Sequence, residues 1–494
     1  MYKIFSLSLI IIFAINSCTN YNEWQGECIK AHDIGLIKII PSLDYNVLRG
    51  IFTVETAKKL DSYIRYWEYT ESDSIPPDSL LLYSSLSKNR KNHELMIVNL
   101  KQDTKYEFNV VIQNNVCKTY SKTYEFTTHR QPAWLPFYSL KDSLARVNFN
   151  GYVHFHSRRK PGYLFIANSD GELVWYKQVP MNVKVSRFTE ASTFLTILSE
   201  DTLRFSSGKK IAEVDLYGQL LYHFDSDEKG IDRTFHHEVD FDEKGNIMTL
   251  IYDRRIVDLT DVGGTENDTV RGDAILIMDK KDNVLWEWSV FDIMAPTDYD
   301  NILNEKDDWL HANALVKDRS GNYLISFRNN SQIWKINGNT GELIWKLGGN
   351  DGNFNLPDSA KFYGQHNIHF NAKGELVLLD NGNKYVQPGS APNKQTIKPP
   401  PMGVFESRMI TFSIDEENMR ARIVDEVVFP KQYFTKSQGS SSNITDDLIM
   451  FCSTNTNQIT FHSQQGDYLG CIRLEHPSYR AQYIEELYPT DYVR

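Results

Sequence analysis

The sequence predicts an all-β chain, a six-bladed β-propeller preceded by a small β-sandwich. Three observations carry this. The chain holds 27 Tyr and 26 Phe, and aromatic side chains pack well on pleated surfaces. From about Asn148 onward two kinds of hairpin alternate with a period of about 60 residues, which makes four strands per repeat. Roughly 350 residues then hold about six repeats, and four-stranded units arranged radially form a propeller. A length of 494 residues suggests two or three domains, and 41% hydrophobic content is ample for buried cores. The formal charge of −11, with no basic stripe, argues against a nucleic-acid partner, because phosphate backbones attract Lys/Arg-rich faces.

The N-terminus reads as a targeting segment. Lys3 is followed by an apolar run from Ile4 to Ile15, too short for a stable membrane span. The run ends in Ile15-Asn16-Ser17-Cys18, which resembles a bacterial lipoprotein cleavage box. Residues 1–17 are thus the expected signal peptide, and Cys18 the lipidated first mature residue. The protein is expected to be extracytoplasmic, anchored by lipid to the cell envelope and facing the periplasm. Residues 18–135 form the predicted sandwich, with strand-like runs Gly35–Ile40, Gly50–Val54 and Lys105–Ile112. The stretch Leu100–Phe108, followed by Ser121–Thr128, resembles the last strands of a fibronectin type III domain, an Ig-like sandwich. Pro132 and Pro136 mark a linker. Cys28, Cys117, Cys452 and Cys471 show no metal-type spacing. In an oxidising compartment, bridges Cys28–Cys117 and Cys452–Cys471 would each stay within one predicted domain.

The predicted propeller spans 136–494. One hairpin joins a strand, a tight turn and an aromatic-ended strand: Tyr163–Trp175, Ile275–Trp286 and Ile333–Trp345, with weaker copies at Ile211–Phe224, Met409–Val427 and Ile459–Ile472. The other runs through a polar turn at Asp242–Met248, Asp318–Leu324 and Asn371–Val377. Two insertions, Met294–Asp308 and the proline-rich Tyr385–Val404, are expected on one rim, where long loops cover sites.

Three histidines stand near the polar turns. His237 precedes Gly245 by 8 residues, His311 precedes Gly321 by 10, and His366 precedes Gly374 by 8. Matching positions on neighbouring blades point towards one mouth of the central channel. Counting back from the turn at Arg319 and Ser320 pairs Arg328 with His311 across the hairpin, about 4.5–5.5 Å apart at Cβ. Three histidines can bind zinc. Beside a permanent guanidinium they also suit an oxyanion, since arginine offers a planar fork of donors and a neutral imidazole is a nucleophile or proton carrier.

The segments Phe235–Asn246, Asp308-Trp-Leu-His-Ala-Asn-Ala-Leu315, Ser326-Phe-Arg-Asn-Asn-Ser331 and Gly364-Gln-His-Asn-Ile-His369, with Asp380-Asn-Gly382, resemble the bacterial arylsulfate sulfotransferase family. The resemblance covers about Tyr152 to Gly382 well. It implies a six-bladed propeller behind a sandwich, and two-step transfer of a sulfuryl group from an aryl sulfate to a phenol. It places the sulfated nucleophile at His366 and supporting catalytic roles at His311, Arg328 and His237. It also implies substrate contacts at Asn313 and at His236, the neighbour that contends with His237. No cofactor is implied; the chain has no phosphate-binding Gly-x-x-x-x-Gly-Lys-Ser/Thr loop for an adenosine phosphosulfate. The expected partners are small aryl sulfates and phenols and, through the lipid anchor, the membrane, with a homodimer left open. Two departures from the family pattern stand out: no cysteine lies between Cys117 and Cys452, and Leu379 replaces a more usual aromatic before Asp380. The competing readings are a non-catalytic envelope scaffold or ligand-binding lipoprotein, a quinone-dependent dehydrogenase and a metal-dependent hydrolase.

Overall fold

The computed structural model describes residue 29 and residues 40–42, 48–71, 75–114, 117–135, 147–202, 206–231, 233–383 and 405–488. The predicted signal peptide, Cys18, Cys28 and the whole 385–404 insertion lie outside the described residues. Among the described residues no helix is long and apolar enough to cross a membrane.

The chain is all-β and its C-terminal part is propeller-like. Six antiparallel sheets follow one another from Tyr152 to Ile484. The first holds 152–157, 162–168 and 173–179; the second 182–188, 193–199, 210–215 and 220–225. The third holds 235–241, 247–257, 268–278 and 284–289, with a short extra strand at 207–208. The fourth holds 312–317, 323–327, 332–336 and 343–348; the fifth 366–370, 376–380, 408–415 and 420–428. The sixth holds 440–445, 448–453, 458–463 and 468–473. The last strand, Ala481–Ile484, returns to the first sheet, where Ala481 pairs with Phe155. The first strands of successive sheets lie side by side, and 481–484 closes the circuit between 440–445 and 152–157.

The polar turns explain why these hairpins form. Asp242 Oδ1 accepts from the N–H groups of Lys244 at 2.9 Å and Asn246 at 2.8 Å. Asp318 Oδ1 does the same for Ser320 and Asn322, and Asn371 Oδ1 for Lys373 and Glu375. In each, glycine supplies the left-handed residue, with φ of 77° at Gly245, 86° at Gly321 and 80° at Gly374.

Side chains alternate across the central strands, so each sheet packs against both neighbours. In the fourth sheet Ile325 packs with Leu250 and Ile275 of the third, whereas Leu324 packs with Leu378 and Ile410 of the fifth. Phe461 and Met450 of the sixth sheet pack with Phe155 and Phe165 of the first, which closes the apolar circuit. Each such fully buried side chain contributes roughly 1.5–3 kcal/mol of apolar burial.

The N-terminal strands form one network through Gly50–Glu68, 19 residues long. Its first part pairs with Ser87–Ile97 and its second with Lys105–Gln113. Met96 and Val98 pack against Leu164, Ile166 and Trp175 of the first sheet, and Arg49 Nη1 donates to Leu216 O at 2.7 Å.

The expected Cys452–Cys471 bridge is absent, and both residues are buried thiols. Cys452 stands opposite Ile459, and Cys471 opposite Thr460 of that same middle strand. A whole strand therefore separates the two cysteines. Two strand spacings are about 9.5 Å, beyond the roughly 7 Å Cα separation that a disulfide can span. Cys117 is disulfide-bonded.

Candidate active site

The first strands of the third, fourth and fifth sheets each break register where the candidate residues sit. Bulges lie between His236 and Val239, between Ala312 and Ala314, and between His366 and His369. Beside them His237, His311 and Asn367 take left-handed φ values of 58°, 59° and 51°. Bulges re-aim side chains, and such backbone costs about 1–3 kcal/mol that the surroundings must offset. Here they do: His237 N donates to Ser206 O at 2.8 Å, and Ser441 N donates to Asn367 Oδ1 at 3.1 Å.

The matching of the three histidines is corrected at one position. His237 and His366 both stand five residues before their turn acceptors, Asp242 and Asn371, but five before Asp318 stands Asn313, not His311. His311 joins the cluster from just ahead of its strand. The expected cross-strand pair does form, as Arg328 N donates to His311 O at 3.0 Å.

The His237 and His311 rings lie 4.9 Å apart at 64°, and Tyr479 lies 5.8 Å from His237. His311 Nδ1 sits 2.9 Å from both carboxylate oxygens of Asp308, so it carries the proton and donates there. Arg328 is half-buried. Its Nη1 donates to Asn329 Oδ1 at 3.0 Å, and Asn329 Nδ2 donates to Asp308 O at 2.6 Å. The Arg328 Nε is buried with no hydrogen-bond partner among the described residues.

His366 is buried. Its Nδ1 lies 3.0 Å from Gly364 O and 2.7 Å from Asn381 Oδ1, and its Nε2 accepts from Gln438 N at 3.1 Å. Burial, then the charge of Arg328, holds its proton affinity well below the ordinary histidine value. His237 is likewise held well below, by burial and then by His311. Both imidazoles are neutral at pH 7.

His236 stands behind His237. Its ring stacks on Tyr252 at 4.1 Å, its Nδ1 lies 2.9 Å from His237 Nδ1, and its Nε2 lies 3.5 Å from Asp273 Oδ1. Burial pushes His236 down to about 3 and Asp273 up to about 6. Asn313 is fully buried; its Nδ2 donates to Gln365 O at 2.6 Å, bracing the strand that carries His366.

Sequence reasoning missed four contributors. Arg480 is buried just ahead of the closing strand. It pairs with Glu238 at 2.5 Å and donates to Asn313 O at 2.7 Å, and its charge acts on both His237 and His366. Arg158, just past the first strand of the first sheet, donates to Gln438 Oε1. No local pattern marks either arginine, nor Gln438. Asn381 was visible within Asp380-Asn-Gly382, but without a role. Among the described residues His223, Asp225 and Glu228 form the one group close enough to share a metal ion, at the end of the second sheet's last strand and the turn after it; His237, His311 and His366 do not form one.

A propeller-like chain with an arginine and neutral histidines gathered at one site fits an enzyme of anionic group transfer. The arylsulfotransferase (ASST) family model matches residues 96–482, and the protein belongs to that family. No curated protein matches the chain. Similar solved structures include a protein of unknown function from Bacteroides caccae, at 13% identity and TM-score 0.41, covering 68% of this chain and 100% of that one. A streptogramin B lyase shows 12% identity and TM-score 0.35, over 70% of this chain and 89% of its own. Virginiamycin B lyase from Staphylococcus aureus shows 11% identity and TM-score 0.34, over 69% and 89%.

Proposed function

We propose that this arylsulfotransferase moves a sulfuryl group from a phenolic sulfate ester to a phenol through a sulfohistidine at His366, in two half-reactions and without a nucleotide. The observation that carries the reading is a neutral, buried His366 under the charge of Arg328, whose Nε N–H has no acceptor among the described residues. An anion's oxygen is the acceptor that such a donor suits.

In the first half-reaction His366 Nε2 attacks sulfur, the S–O bond breaks, and the phenolate leaves with the bonding pair. Arg328 and His311 hold the sulfuryl oxygens as charge grows on them. The bound anion raises the proton affinity of His237, which carries a proton to the leaving phenolate and later takes one from the acceptor phenol. A phenol has a pKa near 10, so an unassisted acceptor is mostly protonated at pH 7. His236 and Asp273 back His237 from behind. The same reading takes the six sheets as the blades of a six-bladed propeller within 136–494, and 18–135 as a β-sandwich. Residues 1–17 are then a leader, and Cys18 the lipid anchor on a periplasm-facing envelope surface.

The test is transfer from 4-nitrophenyl sulfate to phenol without added nucleotide or metal. Wild type should transfer, and should release a burst of nitrophenol when acceptor is omitted; His366→Ala should do neither. A folded wild type inactive across several phenols would shift the reading to a binding scaffold.

A further inference from the structure

The Asp380-Asn381-Gly382 turn is built with more care than a connection needs. Gly382 has φ 65°, and a Cβ there would meet Glu406 O at 1.9 Å. Asp380 Oδ1 accepts from the N–H groups of Tyr363 and Gly382, both at 2.8 Å, and its Oδ2 accepts from Arg408 Nε at 2.9 Å. Asn381 is thereby clamped. Its Nδ2 donates to Thr435 O at 2.8 Å and Gln438 O at 2.9 Å, which turns Oδ1 towards His366 Nδ1.

These contacts determine the tautomer. Gly364 O is a carbonyl and can only accept, so His366 Nδ1 carries the proton. Gln438 N–H can only donate, so the lone pair is on Nε2. Asn381 touches both sides of the arrangement, the ring through Oδ1 and, through Nδ2, the carbonyl of Gln438, the residue whose N–H meets Nε2.

We propose that Asn381 is a positioning residue for the transfer: it commits the His366 proton to Nδ1, leaves Nε2 to take the sulfuryl group, and by being neutral keeps that group transferable. This rests on the function proposed above. When Nε2 bonds to sulfur, the aryl O–S bond breaks, the phenolate takes the electron pair, and the ring becomes an N-sulfoimidazolium that retains its Nδ1 proton. The Gln438 N–H leaves the lone pair as sulfur approaches, and the sulfuryl oxygens are the acceptors it then meets. A carboxylate in place of the amide would draw the Nδ1 proton from the sulfated ring and make it a poorer leaving group. It would also favour the protonated, non-nucleophilic ring before reaction. The charged and titratable groups acting on His366 are Arg328, His311 and Arg480, with His237 nearby, and the partners on its two nitrogens, Asn381, Gly364 and Gln438, are neutral.

The experiment compares wild type with Asn381→Asp in two readouts. In nitrogen-15 spectra of histidine-labelled protein, with His366 assigned through His366→Gln, the wild-type ring should hold its proton on Nδ1 at pH 7. In Asn381→Asp its titration should rise by at least about one pH unit. The acid limb of the kcat/KM profile for 4-nitrophenyl sulfate should then lie at least about one pH unit higher than in wild type, with activity recovering above it. The opposite tautomer in wild type would overturn the proposal, as would an unshifted His366 titration or a loss of rate equal at every pH. If Asn381→Asp does not fold, Asn381→Ala is read instead: an Nδ1 proton and a kcat/KM both unchanged from wild type would overturn the proposal. The spectra do not depend on turnover, so an inactive wild type would count against the function while leaving the role of Asn381 to be judged.

Discussion

A histidine can attack sulfur only with a free lone pair, and burial beside Arg328 keeps His366 neutral at physiological pH. In the proposed mechanism the same guanidinium stabilises the transferring sulfuryl oxygens. Removing one preorganised donor of this kind costs about 10²–10³-fold in kcat. Arg328→Ala should show that loss in steady-state kinetics with 4-nitrophenyl sulfate. Arg328→Lys should recover only part of it, because an ammonium keeps the charge but not the planar fork. Full activity in Arg328→Lys would show that charge alone matters. Motif reading reached these residues because each lies in a short segment with its own pattern. Asn381 was legible as part of Asp380-Asn-Gly382, but its task depends on Thr435 and Gln438, more than 50 residues away.

At the scale of elements, hairpins whose turns carry an Asp or Asn acceptor and a glycine were readable, since those hydrogen bonds close within five residues. The hairpins Asn182–Ser199 and Ser440–Ser453 were not, because no glycine marks their turns; Ser192 takes φ 59° in the first. The closing strand Ala481–Ile484 was equally silent, being four residues that pair with a partner over 300 positions earlier. It completes the first sheet and follows directly on Arg480. A chain ended after Ser478 should therefore leave the Tyr152–Ser157 edge unpaired and lose both cooperative unfolding and activity. Urea unfolding followed by circular dichroism reads this as a lower m-value. An unchanged transition would show that the ring holds without its closure.

Across the whole molecule, seven buried histidines among the described residues bind protons less readily in the folded state than in the unfolded chain. Burial takes His154 and His462 to about 4 and His236 to about 3, lowers His93, and holds His156, His237 and His366 well below their ordinary value. The folded pKa is depressed, so below pH 6.5 the unfolded state takes up more protons and stability falls. Each group removes up to about 1.4 kcal/mol per pH unit between its two pKa values. The urea midpoint should thus drop steeply between pH 6.5 and 5 while staying flat from 7 to 8. His154→Gln should make the drop shallower, since it removes one titrating group. A midpoint independent of pH down to 5 would contradict the buried neutral state of these rings.

By itself the sequence determined the β character, the alternating hairpins, the Arg328–His311 pair and the segments that mark the family. All of these follow from interactions between residues within about twenty positions of one another. Only the tertiary structure decided the rest. His311 joined the cluster from just ahead of its strand, and an intervening strand kept Cys452 from Cys471. Arg158, Arg480 and Gln438 came to the site from opposite ends of the C-terminal region. Their places depend on how the sheets close on one another, a packing condition that local patterns in the chain do not record.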